Sequence, residues 1–150
     1  MERLTTGAVI QLGKLSGFSP IIATSSLKNE AALKDLGADY VIDRNLPEAE
    51  VLSSIRKITG KTLISHVFDA VAYAETQLLG VQILAPGGRL GIVHPVKIGD
   101  QIQDGKIVSV TEASAWLPHN AEIAPRVFHE WADELLRVIK VSLQLSTSVR

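Results

Sequence analysis

The chain has no cysteine among its 150 residues. That excludes a disulfide framework, a thiolate nucleophile and any zinc site built on cysteine. It leaves the redox compartment open, with the cytoplasm as the expected location. Excess positive charge is absent too: 15 basic residues stand against 16 acidic ones, for a net charge of -1. Nothing in that balance points to nucleic acid, and no basic helix face points to a membrane surface. The four histidines, His66, His94, His119 and His129, form no i, i+4 pair, so no metal is expected. No apolar run approaches the ~18 residues of a membrane span. The mostly apolar residues 7–13 have only Arg3 before them, and Gln11 and Lys14 interrupt any longer span, so no signal peptide is expected.

What is present fits a folded domain. Hydrophobic residues make up 46% of the chain and charged residues 21%, which argues against disorder. The length suits one domain over residues 1–150 and is short for two. The expected partner is a small molecule or another protein.

Helical and strand periods alternate along the chain. Thr5 or Thr6 is placed to cap a first helix, since a hydroxyl oxygen accepts from the free N–H groups of the first turn. Leu4, Ala8, Leu12 and Leu15 then recur at helical spacing, and Gly17 suits the residue that ends a helix. "PIIAT" (20–24) predicts a strand, "NEAALKDLG" (29–37) a helix and "YVID" (40–43) a strand. Pro47 opens the next helix, with Val51, Leu52, Ile55 and Ile58 on one face and Gly60 at its end. "ISHVFDAV" (64–71) predicts a strand, 73–84 a helix with Leu78, Val81 and Leu84 inward, "APGG" a turn and "RLGIVHP" (89–95) a strand. A polar loop at 96–105 leads to a strand at 106–114. Trp116, His119 and Asn120 fall in a loop before a last helix at about 121–140, whose stripe is Phe128, Trp131, Leu135 and Val138. The tail from 141 to 150 has weak alternation and no assignment.

Short apolar strands alternating with amphipathic helices imply a parallel sheet covered on both faces. Right-handed crossovers then select an α/β, doubly wound, Rossmann-like sheet. Ligands of such sheets sit at the carboxyl ends of the strands, here the loops at 24–28, 43–46, 69–73 and 93–97.

Four stretches in order carry a resemblance: "IQLGKLSGFSPIIATSS", "LKDLGADYVIDR", "HVFDAV" and "LAPGGRLGIV". Together they resemble the nucleotide-binding domain of medium-chain dehydrogenases/reductases. The look is closest to zinc-independent fungal quinone-oxidoreductase-like proteins and trans-acting enoyl reductases, over about residues 5 to 140. The resemblance implies a catalytic domain and a first strand with a glycine-rich turn ahead of this segment. Met1 falls where that turn would be, so the expectation is a nucleotide-binding domain lacking both flanks, whose strands at 20–24 and 64–71 either stand apart or pair directly.

The site residues follow from the strand ends and the resemblance together. Thr5, Thr6 and Gly7 would hold a pyrophosphate at the helix N-terminus, or serve only as the cap. After the family's second strand, here the strand at 20–24, an NAD enzyme places an acidic residue for the ribose 2′-OH. Thr24, Ser25, Ser26 and Lys28 stand here instead, and hydroxyls with an ammonium suit the 2′-phosphate of NADP. Arg44 would add charge there, or lie on the surface. Asp69, Ala70 and Val71 end a strand at the cleft. Asp69 is a general base or an acceptor that orders its loop. His94 would donate to a substrate carbonyl, or has no role.

Three functions remain open at this level. One is an NADP-dependent reductase of fungal secondary metabolism, with a degenerate cofactor site. Another is a redox-neutral cyclase, isomerase or lyase that uses the same cleft. The last is a non-catalytic binding partner. The resemblance also implies a homodimer joined through the edge strand at 106–114.

Overall fold

The helical spacing at the start of the chain produces α1 (Glu2–Leu15). The computed structural model describes residues 2–93, 95–98 and 109–112. Because α1 begins at Glu2, Thr5 and Thr6 lie inside its first turns and not at its cap position, which corrects the capping assignment. The C-terminus closes as the sequence predicts. Gly17 takes φ 80, and the N–H groups of Phe18 and Gly17 donate to the carbonyls of Gly13 and Lys14 at 3.0 and 3.1 Å. A side chain at that φ would be strained.

The next elements are β1 (Ile22–Ser25), a 3-10 turn at Leu27–Asn29, α2 (Glu30–Asp35) and β2 (Tyr40–Asp43). Then follow α3 (Glu48–Thr59), β3 (Ile64–Asp69), α4 (Ala74–Ile83), β4 (Leu84–Ile92) and β5 (Ser109–Glu112). β1 thus starts two residues later than the apolar run suggests, and β3 stops before Ala70 and Val71. The largest departure is at "APGG". The residues expected to form a turn belong to β4, yet the register moves from Ile64↔Leu84 to His66↔Arg89. The surplus residues of β4 bulge out of the ladder, with Gly87 at φ 75. Pro86 has no N–H for a ladder. A Cβ on Gly88 would lie 2.8 Å from Leu84 Cδ2 and 2.9 Å from the Ala85 carbonyl oxygen. Turn chemistry and strand pairing are both present, one nested in the other.

Every strand pairing among the described residues is parallel: β1 with β2, β3 with β4, and β4 with β5. Among the described residues the strands form two sheets, β1-β2 and β3-β4-β5. β1 and β3 therefore stand apart and do not pair directly. Side chains alternate across each strand. Ala23 meets Ile10 of α1 and Leu33 of α2, while Ile22 and Ile42 meet Val51 and Ile55 of α3. Helices thus cover both faces, as a doubly wound fold requires. Ile64, Leu79 and Ile83 pack against the α3 cluster, so one apolar layer runs beneath both sheets. A second core centres on Leu84, Leu90, Ile92 and Val81. There α4 comes close because of Gly80, whose added Cβ would stand 3.0 Å from Leu90 Cδ1.

His94, the residues Trp116, His119 and Asn120 expected in a loop, the helix expected at 121–140 and the tail from 141 to 150 lie outside the described residues.

Candidate functional site

Parallel pairing puts the carboxyl ends of β1 and β2 side by side, with Ser25 opposite Asp43. The backbone N–H of Arg44 donates to the Ser25 carbonyl at 3.0 Å, which ties the two following loops together. Around that link stand Thr24 (exposed), Ser25 and Ser26 (half-buried), Lys28 (exposed) and Arg44 (exposed). The Ser25 hydroxyl accepts from Asn29 Nδ2 at 3.1 Å. The carboxylate opposite Ser25, Asp43, turns into its own loop and accepts from the backbone and side-chain nitrogens of Asn45 at 3.0 and 2.9 Å. The donors predicted for a 2′-phosphate are therefore brought together, and their chemistry fits that group. Hydroxyls, an ammonium and a guanidinium are carried by the two loops that this link joins, and Asp43 already has partners in its own loop.

At the ends of β3 and β4 the chemistry is different. Asp69 is buried. Its Oδ1 accepts from the N–H groups of Val71 and Ala72, each at 2.9 Å. Its Oδ2 accepts from the Thr76 hydroxyl at 2.6 Å. Of the two roles open to Asp69, this geometry supports the loop-ordering one. Both oxygens are committed, and the bonds hold Ala72 at φ 57, a conformation that non-glycine residues adopt only under constraint. Ala70 and Val71, half-buried, form the resulting loop.

Sequence reasoning missed Gln77. It is fully buried; its Nε2 donates to the carbonyls of Ala72 and Pro95 at 3.4 and 3.3 Å. Its Oε1 accepts from the Lys97 N–H at 2.8 Å. The available signal was a polar residue four positions before inward Val81 on the same helix. Beside this link, Lys97 Nζ lies 5.3 Å from the centroid of the Tyr73 ring.

Thr6 is half-buried and Gly7 buried within α1. An added Cβ on Gly7 would stand 3.1 Å from Leu36 Cδ1, so the glycine lets α1 approach α2. Thr5 lies in the same helix.

A second unpredicted residue, Asp39, ties three elements. Its Oδ2 accepts from the Ile21 N–H at 2.7 Å, and its Oδ1 pairs with Lys14 Nζ at 3.2 Å. The Ile21 bond first, then Lys14, holds the carboxyl below its ordinary pKa, with partial burial opposing them.

The fold and its strand-end loops define a layered α/β domain of the nucleotide-binding type. Residues 7–114 match the family model described as zinc-binding dehydrogenase, and the chain belongs to that family. It is 35% identical over 94 residues to a dual trans-enoyl reductase/FAD-dependent monooxygenase of Aspergillus terreus, covering 62% of this chain and 13% of that protein. It is also 35% identical over 89 residues to a trans-enoyl reductase of Alternaria alternata, covering 59% and 25%. Among solved structures, a mycobacterial quinone oxidoreductase superposes with a TM-score of 0.63 at 22% identity, over 94% of this chain and 49% of that one. The chain thus spans a quarter or less of these curated relatives, and the structural likeness speaks for the fold alone.

The family's description carries zinc. Among the described residues no three His, Cys, Asp or Glu side chains are grouped to hold a metal ion, and the chain has no cysteine. The described residues do not fit a zinc site. No helix among the described residues is long and apolar enough to cross a membrane.

Proposed function

We propose that this chain is the nucleotide-binding part of an NADP-dependent reductase acting on a conjugated carbonyl, of the enoyl or quinone type, in fungal secondary metabolism. The observation that carries the reading is the donor cluster where β1 and β2 end: Thr24, Ser25, Ser26 and Lys28 beside Arg44, with Asp43 turned into its own loop. The trans-enoyl reductases among its relatives supply the substrate class. In this reading Lys28 and Arg44 neutralise the 2′-phosphate, and the Ser25 and Ser26 hydroxyls fix its orientation. Asp69 holds the 70–73 loop so that its small residues let the cofactor lie against the backbone. Thr5, Thr6 and Gly7 stand nearest the pyrophosphate only if α1 presents its first turn to it. His94, two residues after β4 in the sequence, is the expected donor to a substrate carbonyl. A bound nicotinamide supplies the hydride; the chain's own residues bind and orient it.

Titration of NADPH fluorescence tests the reading. Saturable binding is expected, with NADH weaker by roughly tenfold or more, since hydrogen bonds to charged groups are worth about 1.5–3 kcal/mol. No binding at millimolar NADPH overturns it.

Assembly belongs to the same proposal. β5 pairs with β4 on one side, and a strand edge at 106–114 would pair with its twin in a homodimer. Sedimentation should then find dimers at micromolar concentration, and monomers with Val110→Pro, which removes a ladder donor. Wild-type monomers would refute the dimer.

A further inference from the structure

Gln77 lies in the first turn of α4 with no exposed surface, where an apolar side chain would fill the same space. A buried amide is tolerated only when its hydrogen bonds are made. Here each of them leaves the helix: two donated bonds reach Ala72 and Pro95, and one is accepted from Lys97. The side chain therefore spans the loop after β3 and the loop after β4. Asp69 fixes the first of these loops from its other side through Val71, Ala72 and Thr76. No buried polar side-chain atom is left without a partner among the described residues, so the network is fully satisfied and rigid.

A dinucleotide whose 2′-phosphate sits at the ends of β1 and β2 must extend along the strand ends, toward β3 and β4. We propose that Gln77 is a positioning residue. It sets the 95–97 loop against the 70–73 loop and so fixes the wall that receives the nicotinamide half of the cofactor. The proposal rests on the NADP reading above. Gln77 touches no cofactor itself; it acts through the backbone of Ala72, Pro95 and Lys97.

Two ligands and one amide separate its outcomes. Gln77→Met keeps the volume and removes all three bonds. NADPH should then bind about tenfold or more weakly, while 2′,5′-ADP, confined to the β1 and β2 ends, should keep its affinity within about twofold of the wild-type value. The Lys97 amide should exchange slowly with solvent in the wild type, where Gln77 accepts from it, and faster in the variant. Equal weakening of both ligands would mean general loss of structure and would overturn the proposal. So would a Lys97 amide that exchanges no faster in the variant. Where Gln77→Met does not fold, the wild-type amide decides: rapid exchange at Lys97 refutes the link and slow exchange supports it. If the wild type binds neither ligand, the NADP reading fails, and the Lys97 exchange still decides whether the loops are joined.

Discussion

The two halves of the strand-end surface are built differently. At the ends of β1 and β2 the polar groups are exposed or half-buried, and the Lys28 ammonium stands at the surface. Where β3 and β4 end, the principal polar side chains, Asp69 and Gln77, are buried with every hydrogen bond directed into the chain. The first arrangement leaves charge available for a ligand. The second consumes its polar groups in holding backbone still. Substitutions in the two halves should therefore separate affinity from stability.

The largest stability effect is expected from Asp69→Ala. It leaves the N–H groups of Val71 and Ala72 without their acceptor and removes the shorter bond of the Thr76 hydroxyl, which keeps the Tyr73 carbonyl at 3.0 Å. A buried donor left unpaired costs about 1–3 kcal/mol. Urea unfolding should show a loss of at least that size, and a change under about 0.5 kcal/mol would mean that the loop is held by something else.

Asp39→Asn should cost less, on the order of 1 kcal/mol, because its Lys14 partner is half exposed. This change also carries a pH signature. The folded-state pKa lies below the ordinary value of 3.8. Asp39 therefore stabilises the fold fully above that value and loses its contribution as pH falls through the lower folded-state pKa. Wild type and Asp39→Asn should differ in unfolding free energy at pH 7 and converge in acid below about pH 4. A difference that persists unchanged in acid would contradict the assignment.

Lys28→Glu should affect stability least, within about 0.5 kcal/mol, because Lys28 is exposed. Its effect belongs to affinity. NADPH should weaken roughly tenfold or more while NADH changes little. Loss of both cofactors in proportion would place the charge elsewhere.

Much of this was legible in the sequence where one local rule governs. "YVID" became β2 with no change of boundary. Gly17, Gly37 and Gly60 each take positive φ at a helix end, since only glycine meets that demand without strain. The loops after β1 and β2 could be named because parallel topology fixes which ends of the strands face a ligand. Illegible were features that depend on partners distant in the chain. Gln77 looks like a surface residue until Pro95 and Lys97 are brought to it. Asp39 looks like a loop acid until Lys14 and Ile21 meet it. "APGG" satisfies a turn rule locally, and only its pairing with β3 shows that the turn is a bulge within a strand. The threonines of α1 satisfy a capping rule that the helix, by starting at Glu2, does not use.

The central claim is that the 2′-phosphate is read where β1 and β2 end. It is tested most directly by following backbone amide shifts while 2′,5′-ADP is added to the 15N-labelled chain. The account predicts saturable shifts at Ser25, Ser26, Lys28 and Arg44, with the amides of Val71, Ala72 and Lys97 unmoved. Shifts concentrated at residues 70–73 and 95–97, or none at any concentration up to millimolar, would contradict it.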